Sequence, residues 1–449
     1  MNKKSIFAIS VVCVCIIIGV AFASYFFIGR QGNGLLPEST NQDHDASTSN
    51  INDPDAYNQD SYNQEAYPPD TYNQAQSNTD QYPDQYPNAS SPQETNDSQE
   101  NDSNYQNEYQ NNTQSHWYTQ GDQENPWHPI HFQNPGTPLP LDQDTPHGYL
   151  SVQHIRHLND NYYSRFPFSY QEKDAAKWII RQLRAMGHTW DNIKVQEFGL
   201  YDVGHTSQSI ERWHTFRAVY HNHNYIRNTY TSQNIILTIP GQSDQVIIVG
   251  AHYDTVLYPG ASDNASGTAL LLESAQRMLE MDNYYTIIYI FFGAEEVGLL
   301  GAVYYVDNLS QEELDQILFM VNADVLFEGP YFIFGGGYYV PGNWGYAQLN
   351  ALTQQWEAIA DHVNASESLD LHSFPPGIFL PSDQQIFMRA GLTVMMLYGT
   401  GNPDGPAYFR VLHSYRDCYH YINEQWPYKI SDAMLHFSTF LEAVLLARY

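Results

Sequence analysis

The chain has 449 residues, with 50 Asp and Glu against 19 Lys and Arg and a formal charge of -31. Such a surface repels phosphate backbones and anionic headgroups, which excludes nucleic acid as a partner. Of the 3 cysteines, Cys13 and Cys15 lie in an N-terminal apolar run and Cys418 stands alone beyond it, so neither an intrachain disulfide framework nor a cysteine-rich zinc site is available.

In chain order, residues 1–4 hold Lys3 and Lys4, and residues 5–29, "SIFAISVVCVCIIIGVAFASYFFIG", carry no charge. That is long enough to cross a hydrocarbon core of about 30 Å as a transmembrane signal anchor. The lysines then stay cytoplasmic and the rest of the chain lies outside, at the cell surface. The alternative is a cleaved signal peptide, with Ala21-Phe22-Ala23 as the processing site and a secreted product. Residues 30–126 are a low-complexity tract rich in Asn, Gln, Asp, Tyr, Ser and Pro, with no Lys or Arg from Leu35 to Pro126. Its few aliphatic side chains cannot offset chain entropy, so it reads as a disordered acidic stalk.

Residues 127–449 read as one folded domain. "YQEKDAAKWIIRQLRAMG" is an amphipathic helix, Tyr170 to Gly187, closing on a C-cap glycine. Strand-like runs follow: "NIKVQEF", "WHTFRAVY", "NIILTIPG" and "QVIIVGAHYDT". The pattern then predicts a helix over Ala265–Met281, a strand over Thr286–Phe292, a helix over Leu299–Asn308 and a strand over Leu318–Ala323. A glycine-rich turn, "FGGGYYVPG", precedes a helix from about Tyr346 to Val363. A short helix at Gln384–Ala390, the strand "TVMMLYG" and a helix from Ile430 to Ala447 complete the domain. Alternating buried strands and helices imply a three-layer α/β/α domain with a mixed, largely parallel central sheet, in which functional residues collect at the carboxyl ends of strands.

Those strand ends carry the chemistry. "VIIVGAHYD" ends in His252 and Asp254, and "PGASDNASG" holds Asp263 before a helix. "IIYIFFGAEE" ends in Glu295 and Glu296, "LFMVNAD" in Asp324, and "VLHSYRD" supplies His413 and Asp417. Two adjacent carboxylates after an apolar strand repel each other, and a cation resolves that conflict. Imidazole and carboxylate donors suit a borderline metal such as zinc, and two such ions bridged by a carboxylate would be neutralised by this set. Taken singly the residues have bland readings: a structural histidine, a helix N-cap at Asp263, a turn residue at Asp324. Their joint order is what points to a metal centre. The pair His221 and His223 in "YHNHNY" reads as surface loop, His420 is a rival to His413, and Gly335–Gly337 reads as a turn rather than a phosphate loop.

These motifs, with "SQNIILTIPG", "SDQQIF" and "AGLTVMML", resemble the co-catalytic zinc aminopeptidase family, which also includes glutamate carboxypeptidases and, more distantly, glutaminyl cyclases. The resemblance spans Ser232 to Tyr449. It implies Asp263 as the bridging ligand, His252 and Asp324 completing one zinc site and Glu296 and His413 the other, Glu295 as general base, and Asp254 orienting the His252 imidazole. It also implies a cis peptide between Asp263 and Asn264, and it departs from the commoner family pattern at Ser262. The implied activity is hydrolysis of amino-terminal peptide bonds by zinc-activated water. The alternatives are a single-zinc cyclase, a carboxypeptidase using Arg389, Arg410 or Arg416 to hold a substrate carboxylate, and a non-catalytic receptor-like module.

Overall fold

The structure is a computed structural model, and it describes residues 126–200, 202–203, 231–339, 347–348, 350–373, 382–401 and 411–449. The apolar segment 5–29, the stalk, the run "WHTFRAVY", His221, His223 and Arg410 lie outside the described residues. Among the described residues no helix is long and apolar enough to cross a membrane.

Helices α1 (Tyr149–Asn161) and α2 (Tyr170–Met186) precede strands β1 (Ile193–Gly199), β2 (Thr231–Ile239) and β3 (Ser243–His252). Then come α3 (Ser266–Met278), β4 (Tyr285–Phe292), α4 (Leu300–Asp307), α5 (Gln311–Gln316), β5 (Ile317–Ala323), β6 (Tyr331–Tyr339) and β7 (Ala347–Gln348). The remainder is α6 (Ala351–Glu367), β8 (Leu371–Ser373), α7 (Gln384–Arg389), β9 (Val394–Thr400), α8 (Tyr419–Gln425) and α9 (Lys429–Leu446). The sheet order is β1-β2-β4-β3-β5-β9-β6-β7, with β8 beside β6. Its centre, β4-β3-β5-β9, is parallel. Both flanks are antiparallel, except for the parallel β6–β8 pair.

Alternation along the strands explains the layers. Ile247, Val249, Ile287, Tyr289, Phe319 and Val321 face one side and join a core with Ala269, Leu272, Ile179, Leu183, Phe437 and Leu441 from α3, α2 and α9. Ile248, Ile290, Phe292 and Met320 face the other side and pack on Ala302, Tyr305, Ile386 and Phe387 from α4 and α7. A period of two sends successive side chains to opposite faces, so strands buried on both read as continuous apolar runs. The chain steps from β3 to β4 on one side and then to β5 on the other, and such a reversal opens a crevice at the carboxyl ends of the strands.

The structure corrects three sequence readings. Gly335–Gly337 are not a turn: they lie within β6, paired antiparallel with Met396, Met395 and Val394. A Cβ on Gly336 would stand 2.4 Å from the Val394 carbonyl oxygen and 2.7 Å from the Trp356 ring of α6, so glycine permits close stacking there. We expect Gly336→Ala to cost about 1–3 kcal/mol by overpacking. A thermal melt checks this, and an unchanged Tm would show that α6 and the sheet separate freely. Second, α6 begins at Ala351 rather than Tyr346. Asn350 accepts from the Thr353 N–H (3.2 Å) while its own N–H donates to Thr353 Oγ1 (2.9 Å), a reciprocal cap that sets the start. Third, α3 stops at Met278, where the predicted helix ran on to Met281. Helix α1 was not foreseen. Its first N–H groups are capped from elsewhere, by the buried Glu273 of α3, which accepts from Gly148 N and Ser151 N, each at 2.7 Å.

Candidate functional site

The ends of β3, β4 and β5 bring the predicted residues together. His252 closes β3, opposite Phe292 of β4, with Glu295 and Glu296 just beyond, and Asp324 follows β5. Asp263 lies in a tight irregular turn before α3, with a cis peptide to Asn264. His413 arrives from the segment ahead of α8, with the left-handed φ of 54°.

The carboxylate of Asp263 faces both imidazoles. Its Oδ1 stands 3.2 Å from His252 Nε2 and its Oδ2 3.0 Å from His413 Nε2. His252 Nε2 is also 3.2 Å from Asp324 Oδ1, and His413 Nε2 is 3.1 Å from Glu296 Oε2. Two donor sets result, His252–Asp263–Asp324 and Asp263–Glu296–His413, each compact enough to hold a metal ion and both sharing Asp263. Oxygen Oε1 of Glu296 is buried without a hydrogen-bond partner, an orphan that a cation would satisfy. The mixed imidazole and carboxylate donors fit zinc. Glu295 Oε2 lies 4.0 Å from His252 Nε2, beside both sets.

Residues 234–438 match the model of Peptidase family M28. A 100-residue stretch of the chain is 44% identical to aminopeptidase YwaD of Bacillus subtilis, covering 21% of this chain and 22% of that protein. A 228-residue stretch is 30% identical to an aminopeptidase of Pseudomonas aeruginosa, covering 48% of this chain and 42% of that one. The chain thus spans well under two thirds of either relative. The zinc aminopeptidase BSAP of Bacillus subtilis superposes with a TM-score of 0.53 at 18% identity, over 68% of this chain and 97% of that one, which shows a shared fold.

The surroundings of the site follow from burying so much negative charge. Asp254, fully buried, accepts from the N–H groups of Glu295 (3.0 Å) and Glu296 (3.1 Å), so it fixes both glutamates. One of its oxygens is 3.6 Å from His252 Nδ1, and that nitrogen also lies 3.2 Å from the Asp254 carbonyl. Burial opposes charge on His252, but Asp324 and Glu295 outweigh it and hold its pKa well above 6.5. His413 is pushed up too, burial being outweighed by Glu296 and Asp263, although its 47% exposed side chain is better screened by water. Burial, reinforced by Glu296, Asp383 and Asp324, raises Glu295 well above 4.5 against the pull of His252. Burial and Asp263 raise Glu296 to about 7. Asp263 itself is held low by the two imidazoles, against burial.

Several supporting residues of the site carried no role in the sequence reading. Asp417 accepts from Ser262 N (2.6 Å) and Asp263 N (3.0 Å), holding the bridging turn through backbone alone, and the Ser262 side chain makes no hydrogen bond. Glu172 accepts from Phe168 N and Ser232 Oγ, and from Ala294 N just ahead of Glu295. Asp383, within "SDQQIF", is fully buried with both oxygens unpartnered and its pKa pushed up by burial. His420 is turned away to Asp160, at 2.8 Å, so His413 is the histidine at the site. Arg416 lies over the rings of Tyr415 and Tyr421.

Proposed function

We propose that the chain is a zinc-dependent aminopeptidase with two ions, His252, Asp263 and Asp324 holding one and Asp263, Glu296 and His413 the other. The observation that carries this is the Asp263 carboxylate, with one oxygen facing each imidazole at about 3 Å inside an M28 segment. Held by these donors, zinc would supply Lewis acidity to the scissile carbonyl and to water. Glu295 takes the proton from the attacking water as its oxygen bonds to the carbonyl carbon, and returns it to the nitrogen as the carbon–nitrogen bond breaks. Its raised pKa suits both steps. Asp254 keeps Glu295 and Glu296 in register by holding their N–H groups. Metal stoichiometry separates this reading from the single-zinc cyclase. The uncharged segment 5–29 supports a membrane-held enzyme acting on peptide amino termini outside the cytoplasm.

The purified chain is assayed against aminoacyl, carboxyl-terminal and amino-terminal glutamine substrates, with metal measured on the same sample. Release of amino-terminal residues with about two zinc per chain is expected, activity being lost on chelation and restored by zinc. Cyclisation with one zinc, or activity that survives complete metal removal, overturns the reading.

A further inference from the structure

Arg165 lies in the loop between α1 and α2, far in sequence from every residue of the donor sets, and it is fully buried. Among the described residues it is the one buried Lys or Arg. Its hydrogen bonds go to backbone carbonyls: Nε to Tyr253 O at 2.5 Å, Nη1 to Pro259 O at 2.7 Å and Tyr162 O at 3.3 Å, and Nη2 to Gly260 O at 3.2 Å. The backbone adds a reciprocal pair, Arg165 N to Thr255 Oγ1 at 2.9 Å and Thr255 N to Arg165 O at 3.2 Å. The guanidinium therefore spans both ends of the 253–260 loop that connects His252 and Asp254 to Asp263. Gly260 has no room for a side chain, since its Cβ would meet the Asp263 carbonyl oxygen at 2.1 Å, so what holds Gly260 also places the bridging turn.

A buried cation bonded only to neutral carbonyls leaves its charge uncompensated at contact distance. Here the guanidinium clamps the loop that carries Asp254 and leads into Asp263, and the charges of Asp417, Asp254, Asp263 and Glu296 act against the cost of burying it. Resting on the reading of this site as a metal centre, we infer that Arg165 is its permanent counter-charge, a positioning residue that holds the crowded carboxylates together when zinc is absent. Removing the charge leaves the acidic cluster to repel itself in the metal-free protein, while in the loaded protein the ions perform that neutralisation. The zinc-free form therefore suffers more, and zinc adds more stability to the variant than to wild type.

Two substitutions separate charge from hydrogen bonding: Arg165→Gln keeps donors without charge, and Arg165→Lys keeps charge without the planar fork. Each protein is melted after chelation and after zinc loading, and zinc affinity is measured by chelator competition. For Arg165→Gln the metal-free Tm is expected to fall by at least about twice the fall of the loaded Tm, with zinc bound more tightly by the folded protein. Arg165→Lys is expected to lower both Tm values together and keep the wild-type gain from zinc. Equal lowering of both states by Arg165→Gln reduces Arg165 to a structural clamp and overturns the inference. Should the Gln variant fail to fold even with zinc, the Lys variant decides, since an enlarged zinc gain there would show that retained charge does not protect the metal-free state. A wild-type protein that gains no stability from zinc fails the metal-centre reading itself, an outcome distinct from either.

Discussion

Glu295→Gln is expected to lower kcat at least about a hundredfold while leaving zinc content and Tm near wild type, because Glu295 is the proposed general base and loss of such a group costs about that much or more. The geometry sets Glu295 apart from the two donor sets. Its carboxylate approaches His252 Nε2 only to 4.0 Å, whereas Asp263, Asp324 and Glu296 each have an oxygen within 3.2 Å of an imidazole nitrogen. The Asp254 bond to its backbone N–H is untouched by the amide, so the loop and Glu296 stay in place. Kinetics and metal analysis on one preparation check this. Loss of zinc along with activity would make Glu295 a ligand, and wild-type turnover would remove it from the reaction.

The strands and their ends were legible because β3, β4 and β5 are buried on both faces and read as unbroken apolar runs, each followed by the polar residues that need the crevice. The strand ends offered His252, Asp254, Asp263, Glu295, Glu296, Asp324, His413 and Asp417, and the family resemblance is what singled out five of them as a ligand set. What supports them was hidden for physical reasons. Arg165 and Asp417 act on backbone groups, and a backbone carbonyl or N–H leaves no mark on the sequence of its partner. Helix α1 begins where Glu273 caps it from α3, so no local start signal was required. Gly335–Gly337 have the composition of a turn, and only the approach of Trp356 and Val394 explains why a strand carries them. Asp383 lay in a quoted motif, yet its significance is its burial without a partner, which composition does not reveal.

The metal-free protein is expected to lose stability as pH rises from 6.5 to about 8.5, and zinc is expected to abolish that loss. Glu295, Asp383 and Asp417 have folded pKa values well above their ordinary ones through burial, and Glu296 is raised to about 7 for the same reason. His252 and His413 are raised past 6.5 because neighbouring carboxylates outweigh burial. A group whose folded pKa exceeds its unfolded value contributes stability that is full below the unfolded pKa and is lost as pH climbs through the folded one. All six groups thus lose their contribution on the alkaline side. Two buried histidines oppose them: burial lowers His154 to about 3 and His188 to about 4. Their contribution is present above 6.5 and lost only on acidification, so it is constant in the window chosen. Asp263, held low, likewise contributes steadily there and yields only in strong acid. Zinc replaces the protons as the neutralising charge, so the loaded protein lacks the reason to weaken. Thermal melts across the window, with chelator and with zinc, check the sign. A metal-free Tm that holds or climbs above pH 6.5 would mean that the acidic cluster is neutralised by something beyond protons, Arg165 and the bound metal.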